Sequence, residues 1–390
     1  MESMPAPESP VTVGVDTHLD QHVAAVVDQA EGTTLESMPA LAAPVTVGVD
    51  THLDVHVAAV VDQTGRLLST KEFAASTRGY VALVTWAERF GTVKRIGVEG
   101  TGTYGAGLTR FARAYGLPVV EVNRPDRSLR RRRGKSDPID AQAAARATLA
   151  GVAATAPKTR EGQVEMIRVL RVARRGAMKA RVAAAHQLYG VLYSAPEELR
   201  QPLLGLKTKA LVGVCAAMRP GPLTSPPAAT KASLRTLARR WQQLQSELTQ
   251  LDTQLQQLVT SIAPTLVALP GVGIDTAGQL LVTAGDNPHR LRSEAAFAHL
   301  CGTAPIPASS GRTHRHRLNR GGDRQANHAL WRIALVRMRC HAPTRAYVER
   351  RTKQGLSKLD IMRCLKRYIA RQVYHHLTSQ TPSAAAACPK

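Results

Sequence analysis

The chain has 390 residues, 44% of them hydrophobic and 21% charged, and its formal net charge is +23. A chain of this length buries substantial cores and holds two or three domains. No apolar run is long enough to span a bilayer, and no basic segment followed by an apolar one opens the chain, so we expect neither a membrane span nor a secretory signal. The five cysteines form no CxxC pair, so we expect a cytoplasmic protein without a zinc or disulfide scaffold.

The excess of positive charge is the strongest compositional signal. Each phosphate that a Lys or Arg neutralises releases counterions, so this charge favours a nucleic-acid partner. Residues 290–376 alone hold 19 Lys and Arg and four acidic residues. A membrane surface would attract the same charge, but membrane-binding helices usually carry Trp and Phe, and aromatic residues make up only 4% of this chain. That scarcity also favours contacts to nucleic-acid backbones over base stacking.

The first 63 residues contain two near-identical copies of one segment. "VTVGVDTHLDQHVAAVVDQ" at 11–29 returns as "VTVGVDTHLDVHVAAVVDQ" at 45–63, with Gln21 against Val55 as the single difference. We interpret the pair as an in-frame duplication, because a solenoid needs at least three repeats. The second copy continues into a turn and a further strand pattern, so we assign the folded role to it. Residues 1–44 are then a loosely ordered extension, in which Asp16 is a second copy of Asp50.

From residue 45 the sequence pattern alternates between strand and helix. We predict strands at 45–50, 55–61, 66–73, 94–100 and 118–123, and helices at 77–90, 104–115 and from 137 onward. A three-stranded meander followed by βαβα segments is typical of a mixed α/β sheet. We therefore predict an α/β domain over residues 45–156.

The rest of the chain is predicted to be helical. It divides into a basic helical region at 157–218, a Pro-rich linker at 219–230, a coiled coil at 231–263, a mainly α domain at 264–378 and a disordered tail at 379–390. The coiled coil rests on an apolar heptad seam. The seam residues are Leu234, Leu237, Trp241, Leu244, Leu248, Leu251, Leu255, Leu258 and Ile262. No partner for the seam is evident within the chain, so we expect it to drive a homo-oligomer, the alternative being one helix packed on its own domain.

Four carboxylates stand where a mixed sheet gathers reactive groups. Asp50 and Glu99 end two predicted strands, and Asp137 and Asp140 lie three residues apart at the start of a helix. Carboxylates so close together raise one another's pKa unless cations neutralise them, as paired Mg²⁺ or Mn²⁺ ions do. Oxygen ligands without a Cys or His cluster favour these ions over zinc. The alternative is a solvated helix start, with Ser136 as N-cap and acids at the positive end of the helix dipole.

Basic residues flank this helix start and recur near the C-terminus. The run before the helix would hold phosphates and consists of Arg130, Arg131, Arg132, Arg133 and Lys135. "LPGVGIDTAGQLLV" at 269–282 looks like a helix-hairpin-helix. In that motif Gly271 and Gly273 would let backbone N–H groups approach a DNA phosphate, although an ordinary αα-turn has a similar pattern.

A serine pair followed by glycine precedes a second set of arginines. Ser309, Ser310 and Gly311 come first, and Ser310 is either a nucleophile or an ordinary polar loop residue. The arginines are Arg312, Arg315, Arg317, Arg320 and Arg324. We interpret the interleaved His314 and His316 as phosphate contacts rather than metal ligands.

Four motifs follow one another along the chain. They are Asp-Thr-His at the end of the first strand, "GVEGTGTYG", "GKSDPIDAQAAAR" and "LPGVG…SSG…NRGGDRQANHALWR". Together they resemble the DEDD transposases of bacterial insertion sequences, which are bridge-RNA-guided recombinases. The resemblance implies a RuvC-like N-terminal domain of RNase H fold, whose metal-binding set falls on Asp50, Glu99, Asp137 and Asp140. It also implies a C-terminal transposase domain with its serine nucleophile at Ser310, or one residue earlier at Ser309.

The resemblance further implies a reaction and its partners. The serine oxygen attacks a DNA phosphodiester with Mg²⁺ or Mn²⁺ assisting, and rejoining to a second DNA exchanges the strands. Donor DNA, target DNA and a non-coding guide RNA are the implied partners, and the expected location is the bacterial nucleoid. Two alternatives stay open. One is a RuvC-like nuclease that cuts branched DNA with metal-activated water, and the other is a non-catalytic nucleic-acid-binding derivative.

Overall fold

The computed structural model describes residues 43–122, 136–152, 155–312 and 316–379, together with the backbone of three strands before residue 43. The chain divides into two compact units, Met1–Lys158 and Thr159–Lys390. Among the described residues, no helix combines the length and the apolar character needed to cross a membrane.

Both copies of the repeated segment contain a β-hairpin with the same register. In the first copy, β1 (Val11–Thr17) pairs with β2 (His22–Asp28), and β2 pairs with β3 (Met38–Pro39), in a three-stranded sheet of its own. These strands lie within the segment predicted as a loosely ordered extension. The second copy supplies the two hairpin strands of the larger sheet, in the role that its continuation into a third strand predicted.

A five-stranded mixed sheet forms the centre of the first unit. Its strands are β4 (Pro44–Thr51), β5 (Val55–Val61), β6 (Leu67–Ala74), β7 (Thr92–Glu99) and β8 (Val119–Val122). They are ordered β6-β5-β4-β7-β8, with β4, β7 and β8 parallel and with β5 and β6 in antiparallel pairs. Strands β4 and β5 are buried along almost their whole length because helices cover both faces of the sheet.

Three helices complete this unit. They are α1 (Thr77–Glu88), α2 (Ala106–Ala114) and α3 (Asp137–Leu149). Side chains alternate between the two faces of a strand, so the valines at odd positions of β4 join α1 and α2 in one apolar cluster. The opposite face packs against α3 through Val57, Ala59 and Ala141. All eight sheet and helix elements predicted from residue 45 onward are present, with ends that differ by at most two residues.

Two long antiparallel helices lead the second unit. Helix α4 (Gln163–Tyr193) is followed by the short helices α5 (Glu197–Arg200) and α6 (Thr208–Ala217), and then by α7 (Pro226–Ile262). Ile167 shares an apolar cluster with Val259 at one end of the pair, and Leu188 shares another with Ala238 at the opposite end. The two helices therefore run antiparallel, with the start of α4 against the end of α7.

This pairing corrects the expectation that the heptad seam lacks a partner within the chain. Leu234 and Leu248 on the seam are fully buried in this single chain, and Trp241 lies beneath the guanidinium of Arg181 from α4. The seam is real, but its partner is α4, about 70 residues earlier in sequence. The prediction failed because a heptad pattern specifies an apolar stripe and leaves its partner undetermined.

The predicted Pro-rich linker is shorter than the sequence suggested. Helix α7 begins at Pro226, inside the segment 219–230. The Ser225 hydroxyl accepts a hydrogen bond from the Ala228 N–H at 3.4 Å, and prolines fill the first turn, where the missing N–H has no intrahelical partner to lose. The composition of the segment indicated a loop, but its last residues form a capped helix start.

The remaining helices pack around one apolar core, which confirms a mainly α C-terminal region. They are α8 (Pro264–Val267), α9 (Ile274–Ala284), α10 (Glu294–Leu300), α11 (Arg324–Cys340), α12 (Ala342–Lys353) and α13 (Lys358–Ser379). A two-residue hairpin, β9 (Ile306–Pro307) with β10 (His316–Arg317), stands between α10 and α11.

Candidate active site

Two predicted carboxylates end neighbouring parallel strands. Val49 of β4 is paired with Val98 of β7, so Asp50 and Glu99 follow at adjacent positions of the sheet edge. The Thr51 hydroxyl donates a 2.8 Å hydrogen bond to the Glu99 carbonyl oxygen and ties the two strand ends together. Asp50 is 8% exposed, whereas Glu99 is half-buried.

Helix α3 brings the other two carboxylates to this edge, and small residues allow its close approach. A Cβ atom built on Gly48 of β4 would lie 2.6 Å from the Ala145 Cα of α3, and nearer still to backbone atoms of the helix. A Cβ on Gly97 of β7 would lie 3.1 Å from the Thr148 Cβ of the same helix. Because Gly48 and Asp50 are two apart on one strand, both lie on the face that α3 covers.

The start of α3 carries Asp137 and Asp140 in its first turn. Asp140 is 2% exposed, and the Asp137 side chain is 47% exposed. Ser136 occupies the N-cap position, as the sequence suggested, but its side chain makes no capping hydrogen bond. Its carbonyl oxygen instead accepts the Asp140 N–H at 3.1 Å, as the first intrahelical bond of the helix. The two acids are therefore more than a solvated helix start, because Asp140 is buried.

A histidine that the sequence did not assign to the site lies between two of the carboxylates. His52 Nε2 is 3.3 Å from Asp50 Oδ2 and 3.4 Å from Asp137 Oδ2. Among the described residues, ligand atoms of Asp50, His52 and Asp137 all lie within 4.8 Å of one another. The Asp-Thr-His sequence contained this signal, because residues two apart at a strand end lie on the same face.

Electrostatics at Asp50 reflect the crowding of acids. Burial raises the pKa of the Asp50 carboxyl, the charges of Asp140 and Asp137 raise it further, and His52 offsets part of the rise. A divalent cation would remove this repulsion, and two carboxylates with one imidazole nitrogen are a donor set that fits such an ion. Asp50, Asp137 and Asp140 thus interact electrostatically, and Glu99 ends the neighbouring strand.

The predicted serine lies in the second unit, in an exposed loop between β9 and β10. Ser310 is exposed and precedes Gly311, whose φ of 53° places it in the left-handed region that favours glycine. Before this hairpin, Asn327 donates hydrogen bonds to the carbonyl oxygens of Cys301 and Gly302 at the end of α10, at 3.0 and 2.9 Å. Lys366 donates in turn to the Asn327 amide oxygen at 2.9 Å.

Some of the basic residues predicted to contact nucleic acid are described by the structure, and others lie outside the described residues. The arginines of the loop and of the start of α11 that the structure describes are exposed, namely Arg312, Arg317, Arg320 and Arg324. His316 pairs with Pro307 in the β9–β10 hairpin. The run Arg130, Arg131, Arg132, Arg133 and Lys135, together with His314 and Arg315, lies outside the described residues.

The glycine hairpin connects the four-residue helix α8 to α9. Gly271 has a φ of 76°, and Arg337 braces the turn by donating from Nε to the Pro270 carbonyl oxygen at 2.6 Å. The Gly273 N–H donates to the Thr276 hydroxyl at 3.1 Å, so this amide is engaged within the helix cap. Burial lowers the pKa of the Arg337 guanidinium, which is 5% exposed and also donates to Gln372.

Comparison with known proteins identifies the class that this fold and acidic edge represent. A family model described as "Transposase", of the DEDD type, matches residues 47–195. A second model, described as "Transposase IS116/IS110/IS902 family", matches residues 263–349. The chain belongs to this family of insertion-sequence transposases.

A curated relative supports the same family. The chain is 35% identical over 108 residues to the insertion element IS110 uncharacterized 43.6 kDa protein of Streptomyces coelicolor. The matched segment covers 27% of this chain and 26% of that protein, so it spans about a quarter of the relative's length.

Proposed function

We propose that the protein is a DNA recombinase that moves an insertion sequence, with the acidic edge of the sheet as its metal-dependent centre. The observation that carries this proposal is the convergence of Asp50, His52 and Asp137 within 4.8 Å of one another, in a chain of a DEDD transposase family. The strand order and the acids at adjacent strand ends support a RuvC-like unit of RNase H fold.

Each residue of the edge has a role in this proposal. Asp50, Glu99, Asp137 and Asp140 would hold Mg²⁺ or Mn²⁺, and the His52 imidazole, whose Nε2 lies between the Asp50 and Asp137 carboxylates, would be a further ligand. When bound, such an ion supplies Lewis-acid polarisation of a phosphoryl oxygen. The burial of Asp50 and Asp140 limits their motion, so their carboxylates are preorganised for binding.

Ser310 is the proposed nucleophile, and Ser309 is the one-residue alternative. The Ser310 hydroxyl gives up its proton as its oxygen attacks the phosphorus of a DNA phosphodiester, the bond from phosphorus to the leaving strand oxygen breaks, and that oxygen takes up a proton in exchange. A hydroxyl of the second DNA then attacks the phosphoserine, which restores the serine and joins the exchanged strands. The exposure of Ser310 and the glycine after it support access by a phosphodiester.

Donor DNA, target DNA and a guide RNA are the proposed partners, and the charge of +23 supports polyanionic ones. The proposed location is the bacterial nucleoid, and the proposed assembly is a homodimer or a homotetramer. If protomers share a centre, an Asp140→Ala protein mixed with a Ser310→Ala protein should regain strand exchange, because each supplies what the other lacks.

The competing proposal is a RuvC-like nuclease that hydrolyses branched DNA, since Asp50, His52 and Asp137 come together without any contribution from Ser310. The test uses wild type, Ser310→Ala and the matched neighbour Ser309→Ala with supercoiled DNA, the RNA transcribed from the ends of the element and Mn²⁺. Denaturing gels should show a covalent protein–DNA adduct that Ser310→Ala loses and Ser309→Ala keeps. Cleavage that persists in Ser310→Ala without any adduct would establish the nuclease, and binding without cleavage by wild type would establish a non-catalytic derivative.

A further inference from the structure

A basic cavity lies within the second unit, away from the serine loop. Helices α4, α9 and α11 line this open cavity of about 200 Å³. The cavity opens next to the glycine hairpin, since Asp275, Thr276 and Arg332 line both the cavity and the depression at Gly271 and Gly273. We call the cavity and this neighbouring depression, which share these three lining residues, the groove.

A single carboxylate gathers arginines from two helices at the centre of this groove. Asp275, in the first turn of α9, lies 2.6 Å from Nη1 of Arg171 and 2.6 Å from Nη1 of Arg332. Arg174 Nη1 is 3.9 Å away. Although burial acts to raise the pKa of Asp275, the charge and hydrogen bond of Arg171 outweigh it and keep this pKa below the ordinary value. Asp275 thus stays ionised and orients the guanidinium groups.

The groove carries far more positive charge than Asp275 can balance. Arg175 and Lys179 occupy the next positions of the same face of α4, line the cavity and are exposed. Within the described part of the chain, neither has an acidic partner at ion-pair distance. Arg174 also pairs with Asp252, so the five cationic side chains Arg171, Arg174, Arg175, Lys179 and Arg332 stand against two carboxylates, a surplus of three positive charges. Such a surplus attracts a polyanion.

The lining also indicates which part of a nucleic acid would enter. Among the described residues that line the cavity, only His328 carries an aromatic ring, and this ring is already stacked on Trp331, so no free ring is offered to a base. Guanidinium and ammonium groups suit phosphate oxygens, to which Arg can donate in a bidentate manner. We propose that this groove binds the phosphodiester backbone of a double-stranded nucleic acid, with Arg175 and Lys179 as phosphate contacts and Asp275 as a positioning residue.

The proposal concerns binding alone and holds whether or not Ser310 is the nucleophile, so it is tested without metal. Fluorescence anisotropy in EDTA, from about 50 to 200 mM salt, follows the full chain on fluorescein-labelled duplex DNA and on duplex RNA of the same sequence. Arg175→Ala with Lys179→Ala should make the slope of log affinity against log salt less negative by about 2, because each lost phosphate contact contributes about 1. A change on one probe alone identifies DNA or RNA as the source of the backbone.

Two matched variants separate a specific groove from general loss of charge. Arg345→Ala with Lys353→Ala removes the same charge from exposed positions of α12 and should leave the slope unchanged. Arg175→Lys with Lys179→Arg keeps the charge and should retain the slope of wild type. The proposal is overturned if the alanine pair in the groove matches wild type on both probes. It is equally overturned if the α12 pair changes the slope as much as the groove pair does.

Discussion

Gly48→Ala tests how the acidic edge is assembled. The added Cβ would lie 2.6 Å from the Ala145 Cα, whereas carbon atoms in contact prefer about 3.5–4.0 Å. The Ala145 Cα is a backbone atom and the new Cβ is bonded directly to the backbone, so no side-chain rotation can relieve the contact. Helix α3 must therefore move away from β4 by about 1 Å. Overpacking of this kind costs about 1–3 kcal/mol, and the rigidity of the neighbour points to the upper end.

The same displacement would separate the two sources of carboxylates, since Asp137 moves with α3 while Asp50 stays on β4. A shift of about 1 Å at a preorganised site weakens function by about 100-fold. We expect the unfolding temperature of the first unit, measured by calorimetry, to fall by about 6–12 °C. The affinity for Mn²⁺, measured by titration calorimetry, should fall steeply. Both measurements use the full chain.

Gly176→Ala is the control for glycine replacement. Gly176 lies within helix α4, and a Cβ there meets nothing within 4 Å, so the variant should be more stable by about 0.5–1 kcal/mol. A Gly48→Ala protein with the unfolding temperature and the Mn²⁺ affinity of wild type would refute the close packing of α3 on β4.

Three further predictions follow from particular contacts. Leu248→Asp with Leu251→Asp buries charge between α7 and α4 at a cost of several kcal/mol, so circular dichroism should show loss of helix at lower temperature, while light scattering gives the mass of wild type. Arg367 hydrogen-bonds Glu294 and holds the pKa of the Glu294 carboxyl below its ordinary value. The contribution of this pair to the free energy of unfolding is therefore complete above about pH 4.3 and is lost as the pH falls through the lowered pKa. Between about pH 5 and pH 3, Glu294→Gln should lose less stability than wild type does. Mn²⁺ at 100 times its Kd should stabilise wild type by about 2.7 kcal/mol, and Asp137→Asn should lose most of that gain, whereas an equal gain in both would remove Asp137 from the metal set.

Local patterns predicted the sheet and its helices well, because each signal lies within a few residues. The buried runs of β4 and β5 and the proline-bearing start of α3 depend only on neighbouring residues. The positions of Asp50 and Glu99 at strand ends followed directly from these patterns. The position of His52 was also implied by the spacing of two from Asp50, but its approach to Asp137 was not, since 85 residues separate them.

The sequence by itself therefore determined the order of the elements, the acidic strand ends and the apolar stripe of α7, all of which arise from short-range periodicity. Only the tertiary structure decided what each of these features meets. The stripe of α7 packs on α4 of the same chain, and Arg171 reaches Asp275 from 104 residues earlier. The physical reason is that an apolar stripe or a charged side chain can be satisfied by many partners of the same chemistry, and the choice among them depends on how all the packed helices fill space together.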